Sequence, residues 1–195
     1  DMTSNLIIVM IVFVAYALLG LADDLLKIIY KNNKGLSIMF KLFMQTLIAL
    51  VFFYIYIRNG GEPYVAISAI NINIYLGWIY GLFILFLLVG TSNAVNITDG
   101  LDGLAGGLSA IAFFAYGLIA WNTSWLAGYQ EIAIFCFVLV VTLLGFLFYN
   151  THPAKIFMGD TGSLALGGAL AAIAILTRHE LSLAIIGGVF VVETL

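Results

Sequence analysis

Long apolar stretches alternate with short polar segments along the whole chain. A helix needs about 20 mainly apolar residues to cross the hydrocarbon core of a bilayer. Seven stretches approach that length, at approximately 5–22, 40–58, 75–91, 104–122, 131–149, 161–177 and 181–195. The pattern predicts an all-α, polytopic transmembrane helical bundle of about seven spans, forming one domain over residues 1–195.

One polar segment has a different period. Ile70, Ile72 and Ile74 alternate with Asn71 and Asn73, and a period of two residues is typical of a β-strand. We therefore expect a short strand or hairpin outside the bilayer.

The composition agrees with a protein that has lipid as its solvent. Hydrophobic residues make up 64% of the chain, against about 45–50% in soluble globular domains. The net charge of -3, with dispersed basic residues, gives no support for nucleic-acid binding. The only cysteine, Cys136, lies in an apolar run, which excludes a disulfide framework and a thiolate metal cluster.

The two ends of the sequence indicate a piece of a longer membrane protein. The first residue is Asp1 rather than Met, and Leu195 stands inside an apolar stretch. We therefore expect the seventh span to be cut short and any active site to be incomplete. Glu193 lies in that last stretch, where an acid is costly and usually faces a cavity or a partner.

Counting the crossings divides the loops between two sides of the membrane. The loops after spans one, three and five share a side, which carries Lys27, Lys31, Lys34, Lys41 and Lys155. The opposite side carries only two basic residues, Arg58 and Arg178. The excess of positive charge predicts that the first side is cytoplasmic. The two histidines, His152 and His179, fall on opposite sides, so neither indicates a metal site.

Two adjacent carboxylates, Asp23 and Asp24, end the first span on this side. One interpretation is a local ion pair at the interface, because Lys27 lies three and four positions further on and could reach either acid. However, the negative end of a helix dipole is unfavourable for two acids. A compensating cation, either Lys27 or a metal ion, is therefore expected.

The next loop on this side carries a polar residue at every third position: Asn93, Asn96, Asp99 and Asp102. A helical or 3₁₀ turn would align all four along one face, while Gly100 would allow close approach of a ligand. Alternatively, Asp99 or Asp102 caps the following helix, which would leave both asparagines unexplained.

The third loop places Asp160 just before a span rich in small residues. Asp160 could simply cap that helix. Ser163, Gly167 and Ala171 recur every four residues, a spacing that lets a membrane helix pack closely against its neighbours. We expect this helix to hold Asp160 firmly.

These three loops bring five aspartates to the same side: Asp23, Asp24, Asp99, Asp102 and Asp160. So many carboxylates would repel one another strongly without a cation. Oxygen ligands without a Cys or His cluster favour Mg²⁺ or Mn²⁺ over zinc. Since Mg²⁺ is usually shared with substrate phosphates, phosphoryl-type chemistry at the membrane surface is expected.

Three segments resemble a known family: DDLLK at 23–27, NAVNITDGLDGLA at 93–105 and FMGDTGSLALGG at 157–168. They are similar to the polyprenyl-phosphate N-acetylhexosamine-1-phosphate transferases. That resemblance implies ten spans, of which this chain matches the third to a truncated ninth. The first two spans and a later histidine-rich cytoplasmic loop would be absent.

Within this superfamily, segments 93–105 and 187–195 are most similar to the branch acting on UDP-N-acetylmuramoyl-pentapeptide. The implied reaction transfers phospho-N-acetylmuramoyl-pentapeptide to undecaprenyl phosphate, releases UMP and makes lipid I for bacterial peptidoglycan. The resemblance also implies Mg²⁺ as cofactor, an active site on the cytoplasmic face of the inner membrane, and a homodimer as an assembly to consider.

The resemblance further implies roles for individual residues. The catalytic residues would be Asp23, Asp24 and Asp160, with the metal on Asp160. The substrate-binding residues would be Lys27, Asn93, Asn96, Asp99, Gly100, Asp102, Asn150 and Phe157. Asp23, Asp24 and Lys27 would face the lipid phosphate, and Asp99, Asp102, Asn150 and Phe157 would lie near the uridine.

Two mechanisms stay open. In one, Asp23 removes a proton from the lipid phosphate, which attacks the β-phosphorus directly; in the other, an aspartate attacks first and a phospho-enzyme forms. Three other functions are alternatives: a UDP-N-acetylglucosamine transferase with the same chemistry, an intramembrane aspartyl protease, and a proton-coupled transporter. A protease needs two carboxylates sharing a proton within the bilayer, and a transporter would show internal repeats.

Overall fold

The computed structural model describes residues 2–31, 35–67, 72–124, 126–186, 188 and 190. Its elements, in chain order, are α1 (Ser4–Ile29), α2 (Ile38–Arg58), β1 (Tyr64–Ile67), β2 (Ile72–Tyr75), α3 (Ile79–Thr98), α4 (Leu104–Trp121), α5 (Tyr129–Asn150), α6 (Gly159–Leu176) and α7 (Glu180–Ile186). Helices α1 to α6 are each long and apolar enough to cross a membrane. The predicted helical bundle of membrane spans is therefore confirmed.

The seventh predicted span is only partly described. Helix α7 begins at Glu180 and covers seven residues. Most of the remaining predicted span, including Glu193, lies outside the described residues.

Two helices extend beyond the predicted spans, and both extensions bring polar residues into the helix. Helix α1 continues to Ile29 rather than ending near residue 22, so Asp23 and Asp24 lie within it. Helix α3 continues to Thr98, so Asn93 and Asn96 are helical. The apolar run marks only the part of a helix that lipid surrounds, whereas the backbone hydrogen bonds continue until a turn interrupts them.

Helix α6 is the centre of the bundle. Every residue from Ser163 to Leu176 is buried, and the helix packs against α1, α3 and α4. A Cβ atom at Gly167 would lie 2.6 Å from the Cα of Ser92, and one at Gly168 would lie 2.6 Å from the ring of Tyr16. The close packing predicted from the small residues is therefore confirmed.

The hairpin and the start of α7 lie together at one end of the bundle. Strands β1 and β2 are antiparallel, with Tyr64 opposite Tyr75; this confirms the predicted strand at 72–74, while Ile70 and Asn71 lie outside the described residues. The guanidinium of Arg178 stacks over the ring of Tyr64 at 4.3 Å and pairs with Glu62 at 3.1 Å. These contacts fix the hairpin to the turn before α7.

Candidate active site

The other end of the bundle gathers charged side chains from α1, α2 and α6. Asp23, Asp24 and Asp160 each contribute one carboxylate oxygen to a group in which the three atoms lie within 4.8 Å of one another. Two lysines, Lys27 and Lys41, make ion pairs with them. We call these five residues the acidic centre.

Asp23 is the most deeply buried member, with 1% of its side chain exposed. Lys27 Nζ lies 2.6 Å from its Oδ2, and Lys41 Nζ lies 3.2 Å from its Oδ1. The Leu36 N–H also donates to Oδ1 at 2.8 Å. A Cβ at Gly35 would lie 2.5 Å from the same oxygen. Only glycine, which has no side chain, therefore lets the backbone come this close to the carboxylate. Asp23 is thus fixed on all sides by its own chain.

Asp24 caps helix α6 from a different helix. Its Oδ2 accepts hydrogen bonds from the N–H of Thr161 at 2.9 Å and from the Thr161 hydroxyl at 2.7 Å. Its Oδ1 accepts from the N–H of Asp160 at 3.3 Å. The first turn of a helix leaves such N–H groups without partners and attracts negative charge. Asp24 therefore fixes the start of α6 against α1.

Asp160 has other partners and does not cap its own helix, so that alternative is wrong. Lys41 lies 2.6 Å from its Oδ2, and Lys27 lies 3.2 Å from its Oδ1. Asn96 of α3 donates to Oδ1 at 3.1 Å and to the Ser163 hydroxyl at 2.8 Å. Asp160 thus joins α3 to the acidic centre.

Lys41 belongs to the acidic centre although the sequence does not predict it as a site residue. By sequence alone it is one of five lysines on the side predicted to be cytoplasmic. It lies within the second predicted span and in the first turn of α2, and a charge inside an apolar span is costly unless it has a partner. The cost of a charge inside an apolar span is therefore the sequence signal that points to Lys41, as it does to Glu193.

The predicted four-residue polar stripe is only partly present. Asn96 points at the acidic centre, whereas Asn93 donates to Gln45 of α2 at 2.8 Å. Helix α3 ends at Thr98, and Asp99 follows as its C-terminal cap residue. The helical spacing therefore ends before Asp102, which lies in the loop after α3 and not on the same helix face.

Asp99 lies beside the acidic centre. Burial raises the pKa of its carboxyl from 3.8 to about 6, a backbone hydrogen bond from Gly159 partly offsets this, and the charges of Asp160 and Asp24 add to the rise. Asp99 can thus carry a proton closer to neutral pH than an ordinary aspartate. Gly100 beside it is exposed.

Asp102 joins its own loop to the loop between α5 and α6. Its Oδ2 lies 3.0 Å from Nδ1 of His152 and accepts from the Ala154 N–H at 3.0 Å. The hydrogen bond from Ala154 and the contact with His152 lower the pKa of Asp102. Neither Asp99 nor Asp102 caps α4, whose cap residue is Gly103. The capping alternative is therefore wrong for both.

Asn150 joins the same two loops. Its Oδ1 accepts from the Gly103 N–H at 3.0 Å, and its Nδ2 donates to the Ile156 carbonyl at 2.8 Å. Next to Ile156, the Phe157 ring is 74% exposed. The structure thus separates the predicted residues into the acidic centre with Asn96 and Asp99, and a neighbouring loop pair that carries Asp102, Asn150 and Phe157.

The side chains of the acidic centre indicate which ligands and which reactions it suits. Three carboxylates provide hard oxygen ligands that suit Mg²⁺, and two ammonium groups suit phosphate oxygens. A protease pair would share a proton between two carboxylates; here lysines lie between the carboxylates instead. The fold and this centre define a polytopic membrane protein with a charged site at the ends of its spans, whose carboxylates and ammonium groups suit a divalent cation and phosphate oxygens.

Comparison with known families agrees with that class. The model for glycosyl transferase family 4 matches residues 6–178. The chain belongs to glycosyl transferase family 4, and the resemblance stated from the three motifs is confirmed.

Similar proteins come from several bacteria and carry the name phospho-N-acetylmuramoyl-pentapeptide-transferase. One from Geobacillus kaustophilus (strain HTA426) is 53% identical over 188 residues, covering 96% of this chain and 57% of the relative. One from Bacillus licheniformis is 51% identical over 195 residues, covering 100% of this chain and 59% of the relative. One from Bacillus subtilis (strain 168) is 49% identical over 195 residues, covering 100% and 59%. The chain therefore spans less than two thirds of these relatives.

Proposed function

We propose that the protein transfers phospho-N-acetylmuramoyl-pentapeptide from its UDP carrier to undecaprenyl phosphate. The products are UMP and lipid I, the first lipid-linked precursor of bacterial peptidoglycan. The observation that carries this proposal is the acidic centre, whose carboxylates and ammonium groups meet at the ends of three membrane spans. The names of relatives at 49–53% identity support phospho-N-acetylmuramoyl-pentapeptide as the transferred group, and the resemblance of the three motifs supports UDP and undecaprenyl phosphate as its carriers.

The reaction brings together two anionic substrates, so the site must offset their repulsion. Asp160, with Asp23 and Asp24 close by, would hold Mg²⁺, and their hard oxygen ligands fit that ion. When bound, the metal supplies positive charge to the diphosphate oxygens. Lys27 and Lys41 would bind the remaining phosphate oxygens, as point charges on flexible stems.

Asp23 is the proposed base that takes the proton from the lipid phosphate, which then attacks the β-phosphorus. The phosphoanhydride bond to UMP breaks as a new phosphoanhydride bond forms between the lipid phosphate and the β-phosphorus. In the described conformation Lys27, Lys41 and the Gly35–Leu36 backbone cover Asp23, so the lipid phosphate reaches it only after one of these moves. The covalent route would need an aspartate to contact the β-phosphorus first.

The nucleotide would lie on the loop pair beside the acidic centre. The exposed Phe157 ring is free to stack on uracil. Asn150 uses both ends of its amide within the chain, so its contribution would be to hold the two loops in place. The lysines gathered at this end support a site on the cytoplasmic face of the bacterial inner membrane.

The test is a donor and acceptor panel with the intact membrane protein in detergent micelles. UMP release should require both UDP-N-acetylmuramoyl-pentapeptide and undecaprenyl phosphate, with a stoichiometric lipid-linked product. A preference for UDP-N-acetylglucosamine would replace the proposed donor with the alternative one. Labelled phosphosugar trapped on the protein without acceptor would exclude direct transfer as the only route.

A further inference from the structure

Lys27 and Lys41 occupy the position from which a divalent cation would bind the acidic centre. Lys27 Nζ lies 2.6, 3.2 and 3.5 Å from oxygens of Asp23, Asp160 and Asp24. Lys41 Nζ lies 2.6 Å from Asp160 and 3.2 Å from Asp23. A cation bound to all three carboxylates would therefore fill space that the Lys27 ammonium group now fills.

We propose that the two lysines are exchangeable counter-ions: they neutralise the carboxylates in the metal-free protein and transfer to substrate phosphates when a divalent cation binds. This inference rests on the proposed function, since it concerns the order in which the same site takes metal and phosphate. Each lysine therefore has two positions: paired with the carboxylates in the metal-free protein, and bound to substrate phosphate when the metal is present.

The charges favour a one-for-one replacement. Two ammonium groups bring two positive charges to three carboxylates, which leaves one negative charge. A divalent cation brings the same two charges, so the carboxylates are as well neutralised after the exchange as before it. The displaced lysines then add positive charge that an anionic nucleotide and a lipid phosphate can use.

The carboxylates are fixed by hydrogen bonds, and the lysines are the parts able to move. Asp23 accepts from the Leu36 backbone, Asp24 from Thr161 and Asp160 from Asn96. Lys27 is the most exposed member of the acidic centre at 34%, whereas Lys41 at 18% lies between Asp24 at 25% and Asp160 at 14%. The long stems of both lysines can turn toward the open end of the bundle without disturbing a helix.

The first measurement is Mn²⁺ binding to the intact protein without substrate, followed by electron paramagnetic resonance of the free ion. Lys27→Met and Lys41→Met should each bind Mn²⁺ at least about tenfold more tightly, because each removes a charge that competes for the same carboxylates. Lys155→Met, an exposed lysine on the neighbouring loop, is the matched control and should bind as the unchanged protein does. Equal or weaker binding by both lysine variants would overturn the exchange.

The second measurement needs no variant and so does not depend on variants that fold. An amine-acylating reagent is applied to the unchanged protein with and without Mn²⁺, and each modified lysine is quantified by mass spectrometry. Mn²⁺ should raise acylation of Lys27 and Lys41 at least about threefold, because the displaced side chains leave the carboxylates and become accessible, and should leave Lys155 unchanged. Bound Mn²⁺ without any rise overturns the exchange and leaves the transferase proposal intact. Mn²⁺ that binds neither the unchanged protein nor the lysine variants overturns both the exchange and the metal assignment.

Discussion

Asp24 gives the sharpest test of how the site is built, because one side chain joins α1 to the start of α6. Replacing Asp24 by Ala removes three hydrogen bonds, from the Thr161 N–H at 2.9 Å, the Thr161 hydroxyl at 2.7 Å and the Asp160 N–H at 3.3 Å. Among the described residues, Asp24 is the side chain that accepts from the N–H groups of Asp160 and Thr161, whereas Asp99 accepts from the N–H of Gly159. We therefore expect both a loss of stability and a displaced Asp160.

The expected magnitude follows from the cap and its charge. Loss of an N-cap side chain costs about 0.5–2 kcal/mol, and loss of the favourable charge at a helix N-terminus costs about 0.3–1 kcal/mol more. Hydrogen bonds to a charged acceptor are at the strong end of the usual range. Removing one of three adjacent carboxylates relieves some repulsion. We expect Asp24→Ala to lower the free energy of unfolding by about 1–3 kcal/mol, and Asp24→Asn by less, since an amide oxygen can still cap.

Alkylation of the single buried cysteine, Cys136, can report unfolding. The protein in mixed micelles is titrated with denaturing detergent, and the alkylated Cys136 peptide is quantified by mass spectrometry. The control is Glu62→Gln, which breaks only the surface pair with Arg178 and should change stability by about 1 kcal/mol or less. If Asp24→Ala and the unchanged protein unfold at the same proportion of denaturing detergent, Asp24 does not support α6 and the described cap is wrong.

Two further changes test the surroundings of the centre. Asp99 has a pKa of about 6 in the folded protein against 3.8 ordinarily, so its ionisation destabilises the folded state as pH rises from 4 to 6. Asp99→Asn should therefore be more stable than the unchanged protein at pH 7 and should lose that advantage at pH 4. Metal-free unfolding titrations at the two pH values measure the difference. An equal difference at both pH values would contradict the raised pKa of Asp99. Gly167→Val should cost about 3 kcal/mol, the upper end of the usual overpacking penalty, because its Cβ would lie 2.6 Å from the Ser92 Cα. Gly145→Ala, with no atom within 4 Å of the new Cβ, is the control and should unfold at the same denaturant level as the unchanged protein. If Gly167→Val also unfolds at that level, the close helix contact is wrong.

The spans were predictable because lipid imposes a length on apolar helices. Six of the seven predicted stretches are helices long enough to cross a membrane. The helix ends were less predictable, since hydropathy falls at the first charged residues while the helix continues. The ion pair of Lys27 with Asp23 was expected, because residues four apart share a helix face.

The contacts that complete the site connect distant parts of the chain. Lys41 meets Asp160 across 119 positions, and Asp24 meets Asp160 across 136. No local period encodes such contacts. The sequence therefore predicts Asp24 as a residue that faces the lipid phosphate but not as a cap for α6, and it predicts Lys41 only as part of the positive charge on one side of the membrane. The pairing of Asp102 with His152 spans 50 positions and was missed for the same reason.

The most direct test of the proposed transferase is Mg²⁺-dependent UMP release by the Asp160→Asn variant of the intact protein. The amide keeps the shape of the side chain but removes the charge that the proposed metal site requires. We predict a loss of at least about 100-fold, with Glu62→Gln fully active as the control for a carboxylate at the opposite end. UMP release by Asp160→Asn at the unchanged rate, with the same Mg²⁺ dependence, would contradict the role assigned to the acidic centre.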